Sequence, residues 1–280
     1  MTDYVNYMNG AWKVGSDSTV PVYDGGFLLG DGLFETIRFD NRKLFYPHKY
    51  LKRLFEGLNI IRIKLEKSSA DITLLLEEII IRNSIKSGLL RLMITRGAVE
   101  GPPWKYEGIA GIYITIRPLT QEPEYPVKVV FYPEIKYPLI RYNPAIKSLN
   151  YIGNMLAKKD ADKEGAFEPV FYNEDRYVTE CAIRNIFFIQ GDKLLTPCID
   201  LGVLPGVMRE TIISIAKKIN LKSEETNISI DSIIDMDEAF ISSTGIGLLP
   251  CYWNNWQSDF RITSKLKSHL DTLIHCEESI

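Results

Sequence analysis

Ten residues, Arg117-Pro118-Leu119-Thr120-Gln121-Glu122-Pro123-Glu124-Tyr125-Pro126, restrict the fold of this chain more than any other stretch. They carry three prolines and no helical or strand periodicity, and proline's fixed φ and missing N–H keep such a run out of helix and sheet interiors. The run reads as a linker. It divides the 280 residues into a domain over 1–120 and a second over 127–280, joined through 121–126, each long enough for its own core. The net charge of −3, on a chain 45% hydrophobic and 25% charged, argues against nucleic acid as a partner. No run approaches the ~18 apolar residues of a membrane span, and the first residues lack a basic stretch followed by an apolar core. We therefore expect no membrane contact and a cytoplasmic location. Cys181, Cys198, Cys251 and Cys276, with His48, His269 and His275, have neither CxxC nor metal-ligand spacing, which fits reduced thiols and no metal.

The first domain opens as a hairpin, Val5 to Gly10 ending in an Asn-Gly turn and Ala11 to Val14 returning. Asp24 to Arg38 then places four glycines before an alternating strand, a pattern of tight backbone beside a site or of an ordinary loop. Pro47 starts a helix with Tyr50, Leu51, Leu54, Leu58 and Ile61 on one face, and Ser69 to Lys86 forms a second with Leu74, Leu75, Ile79 and Ile80 in the core. Strands follow at Leu89 to Thr95 and Ile109 to Ile116, separated by a Gly/Pro-rich loop from Arg96 to Trp104.

The second domain begins at Val127 to Tyr132 and is organised around Ala145 to Thr211. Lys147 stands between apolar neighbours, Ile146, Leu149 and Tyr151, at the mouth of a helix over Tyr151 to Lys163. A lysine attacks a carbonyl only as the free amine, and apolar surroundings favour that form; the ordinary alternative is a solvated lysine at a helix start. Glu180 follows 33 residues later in the strand-like Tyr177 to Cys181, after another at Pro169 to Tyr172, with Asn185 to Phe188 behind it. Its carboxylate is costly in that setting unless it meets a positive partner, or else it is an exposed strand residue. Gly206, before Val207 and Met208 at the start of a helix reaching Ile219, leaves bare N–H groups suited to a phosphate, although turns use glycine routinely. A buried strand at Ala239 to Ser242 runs into the small-residue loop Ser242 to Gly247, and Ile262 to His275 closes the chain as an amphipathic helix.

Together these segments resemble the class IV aminotransferases, pyridoxal-phosphate enzymes that include branched-chain and D-amino acid aminotransferases and aminodeoxychorismate lyase. The resemblance covers nearly the whole chain. It rests on Gly30-Asp31-Gly32-Leu33-Phe34-Glu35, His48 to Leu54, Lys147, Glu180 and Leu204 to Arg209. It implies a two-domain fold of type IV, α/β (α+β) in class, with an N-terminal α/β domain, a C-terminal β-barrel-like domain with helices, and the cofactor in the cleft between them. It also implies that Lys147 carries pyridoxal 5'-phosphate as an imine and then serves as general base and acid. Glu180 would meet the pyridinium nitrogen, Arg53, Val207, Met208 and Thr244 the phosphate beside Gly206, and Tyr151 the phenolic oxygen.

By the same resemblance Phe34, Arg38, Arg91, Arg96 and Gly245 would face the substrate. Leu89 stands where the branched-chain enzymes have a tyrosine. Phe27 stands where the D-amino acid enzymes have one, and the Arg and His that follow their loop start are missing after Arg96. The expectation is a transaminase acting on a branched-chain-like L-amino acid and a 2-oxo acid, as a homodimer. Aminodeoxychorismate lyase is the second reading, with Thr36, Tyr106 and Trp104 as candidates for handling its leaving ring, and a non-catalytic binding protein is the third.

Overall fold

The computed structural model describes residues 3–275 except 103, 106 and 122; Tyr106, Glu122 and Cys276, named above, lie outside the described residues. Two compact units are present. The first takes the described residues up to Thr120 together with Ile146–Asn150, and the second takes Gln121–Ala145 and the residues from Tyr151 onward. The segment bearing Lys147 therefore packs with the first unit, although the chain on both sides of it belongs to the second.

The first unit comprises β1 (Val5–Met8), β2 (Ala11–Val14), α1 (Gly25–Leu29), β3 (Gly32–Asp40), β4 (Lys43–Leu44), α2 (Pro47–Ile60), α3 (Ser69–Asn83), β5 (Gly88–Thr95) and β6 (Gly111–Pro118). Its strands form one antiparallel sheet in the order β2-β1-β6-β5-β3-β4. The Asn9-Gly10 turn has φ of 48° and 100°, the positive values that a two-residue hairpin turn of this twist requires. Pro47 stands in the first turn of α2, and a reciprocal Ser68–Asp71 capping box opens α3. Both helices pack on the sheet. One expectation for α3 fails: Leu74 is 64% exposed and the core stripe is Ile72, Leu76, Ile79 and Ile80. Apolar residues at 72, 74, 75, 76, 79, 80 and 81 admit more than one helical phase, and the facing sheet selects the one used.

The second unit comprises β7 (Val127–Pro133), α4 (Ile152–Lys163), β8 (Glu168–Tyr172), β9 (Val178–Cys181), β10 (Asn185–Gln190), β11 (Lys193–Pro197), α5 (Val207–Lys218), β12 (Lys222–Thr226), β13 (Glu238–Ser243), β14 (Gly247–Tyr252) and α6 (Arg261–His275). The strands form one mixed sheet, β12-β11-β10-β13-β14-β7-β8-β9. Although β9 ends that order, it lies against β10 and β11, so the sheet curls on itself in the barrel-like manner expected. Its core includes Val129, Val170, Ile186, Phe188, Ile241, Leu249 and Trp253. Among the described residues no helix is long and apolar enough to cross a membrane, and Cys181, Cys198 and Cys251 are free thiols.

Candidate active site

In the first unit the site is built on β3. Strand alternation sends Leu33, Glu35, Ile37 and Phe39 toward the helix-covered face and Phe34, Thr36, Arg38 and Asp40 to the other. The Lys147 segment lies along the edge of this strand. Phe34 N–H donates to Lys147 C=O at 2.9 Å, Leu149 N–H donates to Gly32 C=O at 3.0 Å, and Ser148 sits opposite Leu33. That register places the Lys147 side chain on the Phe34 side, with Nζ 4.6 Å from the ring centroid. The Arg91 guanidinium lies 3.8 Å from the same centroid, brought there by the pairing of Thr36 with Arg91 across β3 and β5. Arg38 shares this face as the cross-strand partner of Leu89. It is 7% exposed, its Nη2 donates to Asp40 Oδ2 at 3.2 Å, and its buried Nε has no hydrogen-bond partner among the described residues.

Two other arginines named from the sequence have different surroundings. Arg53 reaches Glu35 in a two-pronged pair, Nε to Oε1 at 2.8 Å and Nη2 to Oε2 at 2.6 Å, with Glu35 1% exposed. Arg96 pairs with Asp31 at 2.7 and 3.1 Å and donates to the carbonyls of Ile61 and Arg62 at 2.8 and 2.9 Å. It thus ties the loop after β5 to the end of α2. Sequence reasoning missed Asp24 and Tyr113. Buried Asp24 accepts from Tyr113 Oη at 2.8 Å, Thr95 Oγ1 at 2.9 Å and Gly26 N–H at 2.8 Å. Burial, then the Asp24 carboxylate, push the Tyr113 phenol far up, so it stays a neutral donor. An Asp before Gly-Gly is a helix-start signal, and it was available in the sequence.

The second unit supplies Glu180 on β9. Its Oε1 is paired with the Arg141 guanidinium, and its Oε2 accepts from Leu204 N–H at 3.1 Å. Arg141 also holds Glu134 at 2.6 Å and Thr179 Oγ1 at 3.3 Å, while that hydroxyl donates to Glu134 Oε1 at 2.6 Å. Burial works against the Arg141 charge, but Glu180 and Glu134 outweigh it and raise its pKa. The positive partner that Glu180 required is thus present in the chain itself, and Arg141 was missed.

Gly206 is the residue before α5 and, as a glycine, supplies that helix start with no capping side chain. It thus offers the first-turn amides of Val207 and Met208 no capping side chain of the kind that Ser68 gives α3. Thr244 and Gly245 lie half-buried in the turn between β13 and β14. Tyr151 is the residue before α4 and is likewise half-buried.

Known proteins resemble the chain over most of its length. Residues 32–252 match the model of the amino-transferase class IV family. A D-alanine aminotransferase of Listeria monocytogenes is 32% identical over 84% of this chain and 82% of its own length. An aminodeoxychorismate lyase of Bacillus subtilis is 28% identical over 87% and 84%. The crystal structure of a branched-chain aminotransferase from Thermoproteus uzoniensis with norvaline superposes with a TM-score of 0.90 at 21% identity, covering 98% of this chain and 96% of that one, so the fold is shared.

Proposed function

Because the chain belongs to the class IV aminotransferase family of pyridoxal-phosphate enzymes, we propose that it is a transaminase passing the amino group of a branched-chain-like L-amino acid to a 2-oxo acid. The observation that supports this most is Lys147 Nζ over the Phe34 ring, on a sheet face shared with Arg38 and Arg91. An amine on a sheet face that also carries two guanidinium groups suits a reaction that takes two carboxylate-bearing molecules in turn.

The residues fit pyridoxal 5'-phosphate. The helix start at Gly206, through the amides of Val207 and Met208, with Thr244 and Arg53, would hold the phosphate. Glu180 would face a protonated ring nitrogen, Tyr151 the phenolic oxygen, and Lys147 the carbonyl carbon. When bound, the cofactor supplies a carbon that captures the substrate amino group and a ring that accepts the charge left when the α proton departs. Lys147 Nζ then acts as general base toward that proton and as the acid that hands it back. Arg141 orients the Glu180 carboxylate from one side and the Leu204 amide from the other. Arg38, Arg91 and the Gly245 amide would hold the substrate carboxylates. The protein would work as a homodimer in the cytoplasm.

Aminodeoxychorismate lyase is the second reading. It is favoured by the Bacillus subtilis relative and by Thr36, whose place on the Phe34 face gives that face a hydroxyl. One experiment separates the two. The protein is mixed with single L- or D-amino acids and no oxo acid, while the cofactor spectrum is followed and borohydride-trapped peptides are mapped. We expect label on Lys147 and conversion to the pyridoxamine form by branched-chain L-amino acids, reversed by 2-oxoglutarate. An unchanged spectrum with every amino acid, together with pyruvate release from aminodeoxychorismate, would overturn the transaminase reading in favour of the lyase.

A further inference from the structure

Leu204 is gripped on both of its backbone polar atoms by side chains from other segments. Its N–H donates to Glu180 Oε2 at 3.1 Å and its C=O accepts from Asn185 Nδ2 at 3.0 Å. Asn185 opens β10 and is 7% exposed. Its other end presses on Gly206, where an added Cβ would lie 2.1 Å from Asn185 Oδ1. Gly206 has φ −65° and ψ 136°, values open to any residue, so the approach of Asn185 and not the backbone angle requires glycine there. Directly across the ladder from Asn185 is Ser242, whose side chain therefore lies on the same face. Ser242 is 1% exposed, and its hydroxyl has no hydrogen-bond partner among the described residues.

We propose that Asn185 is a positioning residue that sets the distance between Glu180 and the amides at the start of α5. This rests on the reading of these two features as the ring-nitrogen and phosphate contacts of one cofactor. A rigid ring bearing a phosphate satisfies both contacts only if their separation is right, and the Leu204 joint provides that separation. Without the Asn185 amide, the turn from Leu204 to Gly206 keeps the hydrogen bond to Glu180 but loses that from Asn185 at the start of β10. Each contact then survives alone, while the benefit of making both at once declines. The phosphate group, not the ring, should suffer.

The test compares the affinity of the cofactor-free protein for pyridoxal 5'-phosphate and for pyridoxal, which lacks the phosphate. Asn185→Ala should weaken pyridoxal phosphate by about tenfold and leave pyridoxal nearly unchanged, so that the advantage conferred by the phosphate shrinks by the same factor. Gly206→Ala, which drives a methyl against Asn185, should have a similar effect. In the double variant the methyl occupies the space left by the amide, so the two losses should not add. Equal weakening of both ligands, an unchanged ratio in Asn185→Ala, or full additivity would overturn the proposal. If the unaltered protein binds neither ligand, the cofactor reading itself fails and this proposal falls with it.

Discussion

Glu180 has both carboxylate oxygens engaged, one by Arg141 and one by the Leu204 amide. Glu180→Gln preserves the size and the acceptor for Leu204, but it leaves Arg141 facing a neutral amide and removes the anion that would keep a ring nitrogen protonated. We expect the variant to retain cofactor through the phosphate contacts and to lose several powers of ten in turnover, about 3–5 kcal/mol of transition-state stabilisation. Steady-state kinetics on the cofactor-loaded variant checks this, and near-normal turnover would reduce Glu180 to a strand carboxylate. At this scale the sequence was partly legible. The apolar flanks of Lys147 and the need of Glu180 for a positive partner could be read locally. The Phe34 ring beneath Lys147 Nζ and the Arg141 fork could not, because each depends on a register or approach between segments far apart in the chain.

The Arg53–Glu35 pair ties α2 to β3, with Glu35 1% exposed on the helix-covered face. A family resemblance assigns Arg53 to a phosphate, and its geometry adds a structural duty. Arg53→Met strands a buried carboxylate, a loss of about 3–5 kcal/mol by analogy with broken buried pairs. We expect its urea midpoint to fall even without cofactor and to be restored in large part when Glu35→Gln is added. If Arg53→Met leaves the cofactor-free protein as stable as before, the arginine serves the phosphate alone. Elements with strong local signals were legible: the Asn-Gly hairpin, the helix beginning at Pro47 and the capped α3 all lie where periodicity placed them. Others were not. The strand β12, Lys-Ser-Glu-Glu-Thr, is a polar edge that exists because β11 offers it a parallel partner, and β14 follows a small-residue turn whose pattern indicates only a loop.

In the whole molecule the first unit carries an apolar surface that a solitary chain would expose to water. Val20, Val22, Tyr23, Phe27, Leu28 and Leu29 fall within ten residues, and Phe27 is 69% exposed. The backbone at Tyr23 and Gly25 is hydrogen-bonded to Val99 and Gly97, which brings in the loop bearing Trp104, itself 80% exposed. Ile109 is drawn to the same place, since its carbonyl lies so close over Gly97 that a Cβ there would sit 1.9 Å from it. Large exposed apolar patches on one connected surface mark association sites, and covering them is worth about 25 cal/mol for each Å² removed from water. The two loops are joined by backbone hydrogen bonds, so a partner resting on one would constrain the other, including the residues that lead into β3 and Phe34. We therefore expect a dimer in solution and expect Phe27→Glu to shift it toward monomer. Because Phe27 is exposed within a single chain, the substitution should change intrinsic stability by no more than about 0.5 kcal/mol, while activity declines in step with dissociation. Sedimentation velocity across a dilution series, run beside thermal unfolding and assays at the same concentrations, checks this. A wild-type chain that sediments as a monomer at every concentration, yet remains fully active, would remove the dimer from the account of the site.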